Sequence, residues 1–150
     1  MAVTVTQILF HVVFSTKHRR PLISAQLREE LYSFIADTNR RHGGQLVAIG
    51  GIPDHVHLLI RLKPYVPISS MVRFVKTNSS RWLKERPDLV RDFAWQTGFA
   101  AFSVSESRSG AVRTYIRNQE AHHAQKTFEI ELQTLLRRHN VPFDPEKILD

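Results

Sequence analysis

Apolar and polar positions alternate most clearly over His55–Leu62. Val56, Leu58, Ile60 and Leu62 fall on one side there, and His55, His57, Leu59 and Arg61 on the other. A period of two marks a strand. Residues 4–16, rich in apolar and β-branched side chains, predict an earlier strand that runs into the basic loop Lys17, His18, Arg19, Arg20, Pro21. Ser24 is placed to cap a helix bearing Leu27, Leu31, Phe34 and Ile35 at helical spacing, with Gly43 and Gly44 to close it. Residues 45–51 predict a second strand, and a turn at Pro53 and Asp54 makes a hairpin with His55–Leu62. Beyond Pro64 and Pro67, the spacing of Ile68, Met71, Val72, Val75, Ser79 and Trp82 predicts a second helix that stops before Pro87. Residues 99–105 predict a fourth strand, residues 107–110 a small flexible hinge, and a third helix starts near Ala111; residues 128–139 form a further helix. The order β-α-β-β-α-β-α predicts an α+β, ferredoxin-like (RRM-like) four-stranded antiparallel sheet in one domain over residues 1–150. Two helices are expected on one face, with the His pair on the uncovered side.

Composition narrows the chemistry. Among 150 residues, 21 Lys and Arg face 14 Asp and Glu, giving a formal net charge of +7, and the pI is about 10.2. That excess points to a polyanionic partner, because clustered cations displace counterions condensed on nucleic acid. The absence of Cys removes disulfides, thiolate metal sites and thiol nucleophiles together, so a metal must be held by imidazole, carboxylate, amide or water. No apolar run approaches the ~18 residues needed to span a bilayer, and the start lacks an export pattern, so a soluble cytoplasmic protein is expected. The cations cluster on the first loop (Lys17, Arg19, Arg20) and on the second helix (Arg73, Lys76, Arg81, Lys84), where they can track phosphates; Phe74 or Trp82 could stack on a base, although Trp82 also suits the core.

His55 and His57 leave the same side of their strand and form half a site for a divalent cation. On the third helix, Val112, Tyr115, Ile116, Gln119 and His123 share one face, so Tyr115 and Gln119 lie one turn apart and Gln119 interrupts an otherwise packable stripe.

These residues belong to an ordered series. It begins with His11, Val12, Val13, Phe14, Ser15, Thr16 and Lys17 and continues through Arg19, Arg20, Pro21, the run 50–60 and then Trp95, Gln96 and Gly98. Residues 101–105 follow, then Tyr115, Ile116, Arg117, Asn118, Gln119, Glu120, His122 and His123. In that series the chain resembles the single-tyrosine HUH transposases of bacterial insertion sequences, the IS-two-hundred type, relatives of the REP-associated tyrosine transposases. The resemblance implies an HUH endonuclease fold, Tyr115 as nucleophile, and His55, His57 and Gln119 around Mg²⁺ or Mn²⁺. It also implies cleavage and rejoining of single-stranded DNA at hairpin-bearing ends through a 5′-phosphotyrosine linkage. A homodimer is implied in which the tyrosine of one subunit can complete the site of the other, with the hinge at 107–110 permitting the exchange and the first strand as a pairing edge. Phe99 and Ala100 depart from the Tyr-Gly pair expected at that point. Asp54, His11 and His123 all remain open as the general base. Two other readings remain: a domesticated relative that processes repetitive extragenic hairpins, and a non-catalytic RNA-binding module using the same sheet.

Overall fold

The computed structural model describes residues 2–124 and 126–147. Strand β1 (Leu9–Ser15) leads through a short 3₁₀ turn (Lys17–Arg19) to helix α1 (Ala25–Arg41). The hairpin β2 (Gly44–Ile52) and β3 (His55–Leu62) follows, then α2 (Ile68–Lys84), β4 (Ala100–Val104), α3 (Glu106–Arg117), α4 (Gln119–His123) and α5 (Phe128–Arg138). The sheet order is β2-β3-β1-β4 and every pair is antiparallel, as the ferredoxin-like pattern predicts. The Ser24 hydroxyl accepts from the Leu27 N–H at 3.1 Å and caps α1, a contact worth about 1 kcal/mol. At the other end Gly43 takes φ +88°, the left-handed conformation that ends helices most readily on glycine.

On one face of the sheet, Val12, Phe14, Val56, Leu58, Ile60 and Leu62 pack against Leu27, Leu31 and Ile35 of α1 and Met71, Val72 and Val75 of α2. The alternation in β3 fixes this, since each of those strand residues points the same way. The opposite face, expected to be uncovered, is instead covered by α3, α4 and α5. Leu59, Leu9 and Val104 pack on Ile116 of α3, and Val13 and Phe102 pack on Phe128, Leu132, Leu135 and Leu136 of α5. Among the described residues both faces of the sheet are covered by helices, which argues against the RNA-binding alternative.

Three further expectations are corrected. The first strand starts at Leu9 rather than at residue 4: its ladders with β3 and β4 begin at Leu9, opposite Arg61 and Val104, with one further bond from the Leu62 N–H to the Ile8 carbonyl at 3.0 Å; Val3 and Val5 are exposed. It is also a central strand, with β3 and β4 on either side, so its edges are used and it cannot pair with a second copy. Residues 107–110 form no hinge. They lie within α3, which begins at Glu106, not near Ala111, and is held to the sheet by Ile116. No helix among the described residues is long and apolar enough to cross a membrane.

Gly50 of β2, opposite His57 in the register, sets how closely α3 approaches. A Cβ there would stand 2.1 Å from the Ile116 carbonyl oxygen, a backbone atom that cannot rotate aside. Gly50→Ala is expected to lower stability by about 1–3 kcal/mol through overpacking and to push the helix bearing Tyr115 off the sheet. Urea unfolding checks the first effect and a crystal structure of the variant the second.

Candidate active site and metal centre

β3 delivers His55 and His57, both fully buried, to the face beneath α3–α5. Each imidazole is held at both nitrogens. His55 Nδ1 lies 2.7 Å from Asp54 Oδ1, and its Nε2 lies 3.1 Å from Gln119 Oε1. His57 Nδ1 lies 2.8 Å from His11 Nε2, and its Nε2 lies 2.8 Å from Glu131 Oε1. The same Glu131 oxygen is 3.0 Å from His123 Nε2 and 3.4 Å from His55 Nε2. Three imidazole nitrogens thus converge on one carboxylate oxygen. Ligand atoms of His55, His57, His123 and Glu131 all lie within 4.8 Å of one another, compact enough for a single cation.

Tyr115 is half-buried on α3, and its hydroxyl donates to the second carboxylate oxygen, Glu131 Oε2. Its ring stands edge-on to His57 at 5.7 Å between centroids. The helix does not continue to Gln119 as the spacing suggests: it ends at Arg117, Asn118 (φ −98°, ψ 26°) breaks it, and Gln119 opens α4. The Gln119 amide nevertheless stays on the site side. Its nitrogen donates to the Tyr115 carbonyl at 3.3 Å while its oxygen faces His55. One chain therefore brings Tyr115, His55, His57 and Gln119 together.

Glu131 escaped the sequence reading, although the signal was present. It stands within the apolar stripe Phe128, Leu132, Leu135 and Leu136 of α5, an interruption of the same kind as Gln119. Burial alone would raise its pKa, but hydrogen bonds from His123, His55 and His57 outweigh that and hold it far below the ordinary carboxylate range. Burial and the Glu131 contact both push the Tyr115 hydroxyl upward, so the phenol is protonated at neutral pH. Burial works to lower His55 as well, yet the Asp54 and Glu131 carboxylates prevail and raise it to about 9. Burial lowers His57 to about 4 and, with the nearby His57 ring, lowers His11 to about 3.

These shifts predict how stability depends on pH without metal. His11 and His57 stay neutral in the fold down to about 3 and 4, whereas the unfolded chain protonates both near 6.5. Their contribution is complete above pH 6.5 and is lost as pH falls toward 4. The raised His55 behaves oppositely, contributing fully below 6.5 and losing that contribution as pH rises through about 9. The Tm in EDTA should crest near pH 6.5 and fall more steeply on the acid side, where two rings act together; calorimetry across pH 4–9 checks it.

The expected DNA contacts divide. Arg73, Arg81 and Lys84 are exposed on α2, on the other face of the sheet from the imidazoles, and Lys76, Arg81 and Lys84 line a groove of about 610 Å³ with Trp95 and Gln96. Lys76 donates to the carbonyls of Gln96 and Gly98, and burial lowers it to about 8, so it ties α2 to the loop before β4. Phe74 stacks on His42 and Trp82 on Phe34, which occupies both rings within the fold. Lys17 and Arg20 are exposed. Arg19 pairs with Glu129 at 2.8 Å and, with Asp54, His123, Phe128 and the unforeseen Lys126, lines a cleft of about 660 Å³ that reaches the imidazole cluster.

Known proteins resemble this chain in sequence and in fold. A family model described as "Transposase IS200 like" matches residues 4–119. The ISDra2 transposase TnpA of Deinococcus radiodurans is 26% identical over 122 residues, covering 77% of this chain and 86% of that one. The transposase for insertion sequence element IS200 of Salmonella typhimurium is 26% identical over 116 residues, covering 73% and 75%. Among solved structures, a Deinococcus radiodurans protein described as a transposase superposes with a TM-score of 0.63 at 26% identity, over 79% of this chain and 95% of that one. A REP-associated tyrosine transposase bound to a REP hairpin gives 0.55 at 15% identity, over 77% and 66%; at that identity the likeness concerns the fold alone.

Proposed function

The chain belongs to the IS200-like transposases, and from that premise we propose that it cleaves and rejoins single-stranded DNA at hairpin-bearing ends, with Tyr115 as the nucleophile. The observation that carries this reading is the meeting of a tyrosine hydroxyl and a cation-sized cluster of imidazoles on one carboxylate. A phenol close to three imidazoles, a carboxylate and an amide suits phosphoryl transfer better than any packing role, because each of these polar groups is costly to bury without a task.

The donor set fits a divalent ion. His55 and His57 with Gln119 would hold it as the resemblance implies, and His123 and Glu131 add two further donors at the same point. Such a nitrogen-rich set suits Mn²⁺ better than Mg²⁺, which prefers oxygen ligands. When bound, the ion supplies charge neutralisation on the scissile phosphate. The chain's own residues do the rest. The cleft beside Arg19 and Lys126 would admit the phosphate, and Lys126 also lines the pocket that holds Tyr115 and Glu131. Glu131 Oε2, already the acceptor of the phenol hydrogen bond, orients the Tyr115 oxygen; as the oxygen–phosphorus bond forms and the phosphorus–3′-oxygen bond breaks, the phenol proton passes to solvent and the departing 3′-oxygen takes a proton from solvent. The products are a 5′-phosphotyrosine linkage and a free 3′-hydroxyl, and attack by another 3′-hydroxyl reverses the step. Glu131 thus orients the phenol, and the general-base role stays with Asp54, His11 or His123.

One domain over residues 1–150 carries this chemistry, acting on DNA in the cytoplasm. Lys17, Arg19, Arg20 and Arg73 hold the DNA backbone together with Arg81 and Lys84, whose groove Lys76 shapes. A homodimer would pair through an outer strand, β2 or β4, in place of β1. The test is a strand-cleavage assay on labelled single-stranded DNA carrying the hairpins that flank the gene, with Mn²⁺, Mg²⁺ or EDTA. The expected result is cleavage with Mn²⁺ exceeding that with Mg²⁺ and none in EDTA. Undiminished cleavage in EDTA would contradict the metal part of the reading, and no cleavage in any arm would contradict the activity.

A further inference from the structure

We propose that His11 is a positioning residue for the metal site: its Nε2 lets His57 move its ring proton to Nδ1 and offer Nε2 as a free lone pair. This rests on the metal reading above. His11 lies on the central strand β1, is 3% exposed, and places Nε2 2.8 Å from His57 Nδ1. The two rings stack at 5.0 Å between centroids with 29° between their planes, so contact and orientation are both set by the sheet.

The logic lies in the number of ring protons. A neutral imidazole has one proton and two nitrogens, so one nitrogen donates and the other accepts. Glu131 Oε1, an ionised acceptor 2.8 Å away, draws the His57 proton to Nε2, and His57 Nδ1 then accepts from His11. A cation at His57 Nε2 needs the reverse, with the proton on Nδ1 and an acceptor opposite it. His11 can serve in both states, because shifting its own proton to Nδ1 turns its Nε2 from donor to acceptor. A carboxylate at that point could only accept, an ammonium could only donate, and an apolar ring could do neither. The neighbouring ring shows the contrast: Asp54 accepts at His55 Nδ1 at 2.7 Å, which fixes His55 in one arrangement while His57 remains switchable. Groups that orient a ligating imidazole through its second nitrogen characteristically govern metal affinity.

The test measures Mn²⁺ binding to the full chain by calorimetry and by electron paramagnetic resonance, for wild type, His11→Phe and His11→Gln. His11→Phe keeps a buried ring and should weaken Mn²⁺ by about 10–100-fold, whereas His11→Gln, whose amide can turn to donate or accept, should stay within about threefold of wild type. If His11→Phe does not fold, His11→Leu replaces it with the same expectation. An independent readout is the long-range ¹H–¹⁵N spectrum of His57 in wild type, with the ring proton expected on Nε2 without metal and on Nδ1 with Mg²⁺ at saturation. A phenylalanine variant that binds Mn²⁺ like wild type, or a His57 proton that stays on Nε2 at saturation, would overturn the role of His11 alone. A wild type that binds no Mn²⁺ would overturn the metal reading, and this role with it.

Discussion

Tyr115→Phe should abolish the covalent protein–DNA adduct and reduce strand cleavage by roughly 10⁴- to 10⁶-fold, the scale on which loss of a covalent nucleophile is felt. The substitution removes one oxygen and leaves the ring in place against His57 and His122. The fold and hairpin binding should survive, so DNA affinity is expected to match wild type. Because Tyr115 donates to Glu131, its loss also frees one carboxylate oxygen, and thermal stability should move little compared with the collapse in activity. Denaturing gels with end-labelled DNA measure the adduct, and binding curves on the same oligonucleotide separate loss of chemistry from loss of substrate.

The second large effect is expected of His57→Ala. His57 contributes a ligand atom at the centre of the cluster and is fully buried, so no exposed side chain can swing in to replace it. Mn²⁺ affinity should fall by more than the ~10–100-fold typical of groups one contact further from a metal, and metal-dependent cleavage should fall with it. A binding ion also stabilises the fold by mass action, about 2.7 kcal/mol at 100 times its Kd. Wild type should therefore gain Tm on adding Mn²⁺, and His57→Ala should gain none over the same concentrations. The variant leaves Glu131 with fewer donors, so its Tm without metal should lie below wild type.

Much of this arrangement is legible in the chain because strong periodicity meets clear punctuation. The bounds of β3 follow from alternation between a Pro53–Asp54 turn and Pro64, and α1 from the Ser24 cap and Gly43. The pairing of His55 with His57 on one side follows from the same alternation, and Tyr115 and Gln119 stand out as polar groups on a packing face. The cover over the His face was harder to see, although Leu59 shares that side with the histidines and hinted at burial on both. Residues 107–110 are helical against their local preference: Ser and Gly disfavour helix, whereas Ile116 anchors the segment to the sheet from further along. Glu131 required tertiary knowledge: only when α5 lies across the sheet does a carboxylate within its apolar stripe meet His55, His57, His123 and Tyr115. The basic residues point to a polyanion by their number, and Lys76 shows that a cation in that set also bonds backbone carbonyls in the fold.

The central claim is that Tyr115 becomes joined to a DNA 5′-phosphate in a site built from His55, His57 and Gln119. Its most direct test is protease digestion and tandem mass spectrometry of the adduct formed by wild-type protein on single-stranded hairpin DNA with Mn²⁺. The prediction is one modified peptide with the nucleotide mass on Tyr115 through a phosphate. A nucleotide on Tyr32, Tyr65, a serine or a histidine, with Tyr115 unmodified, would contradict it.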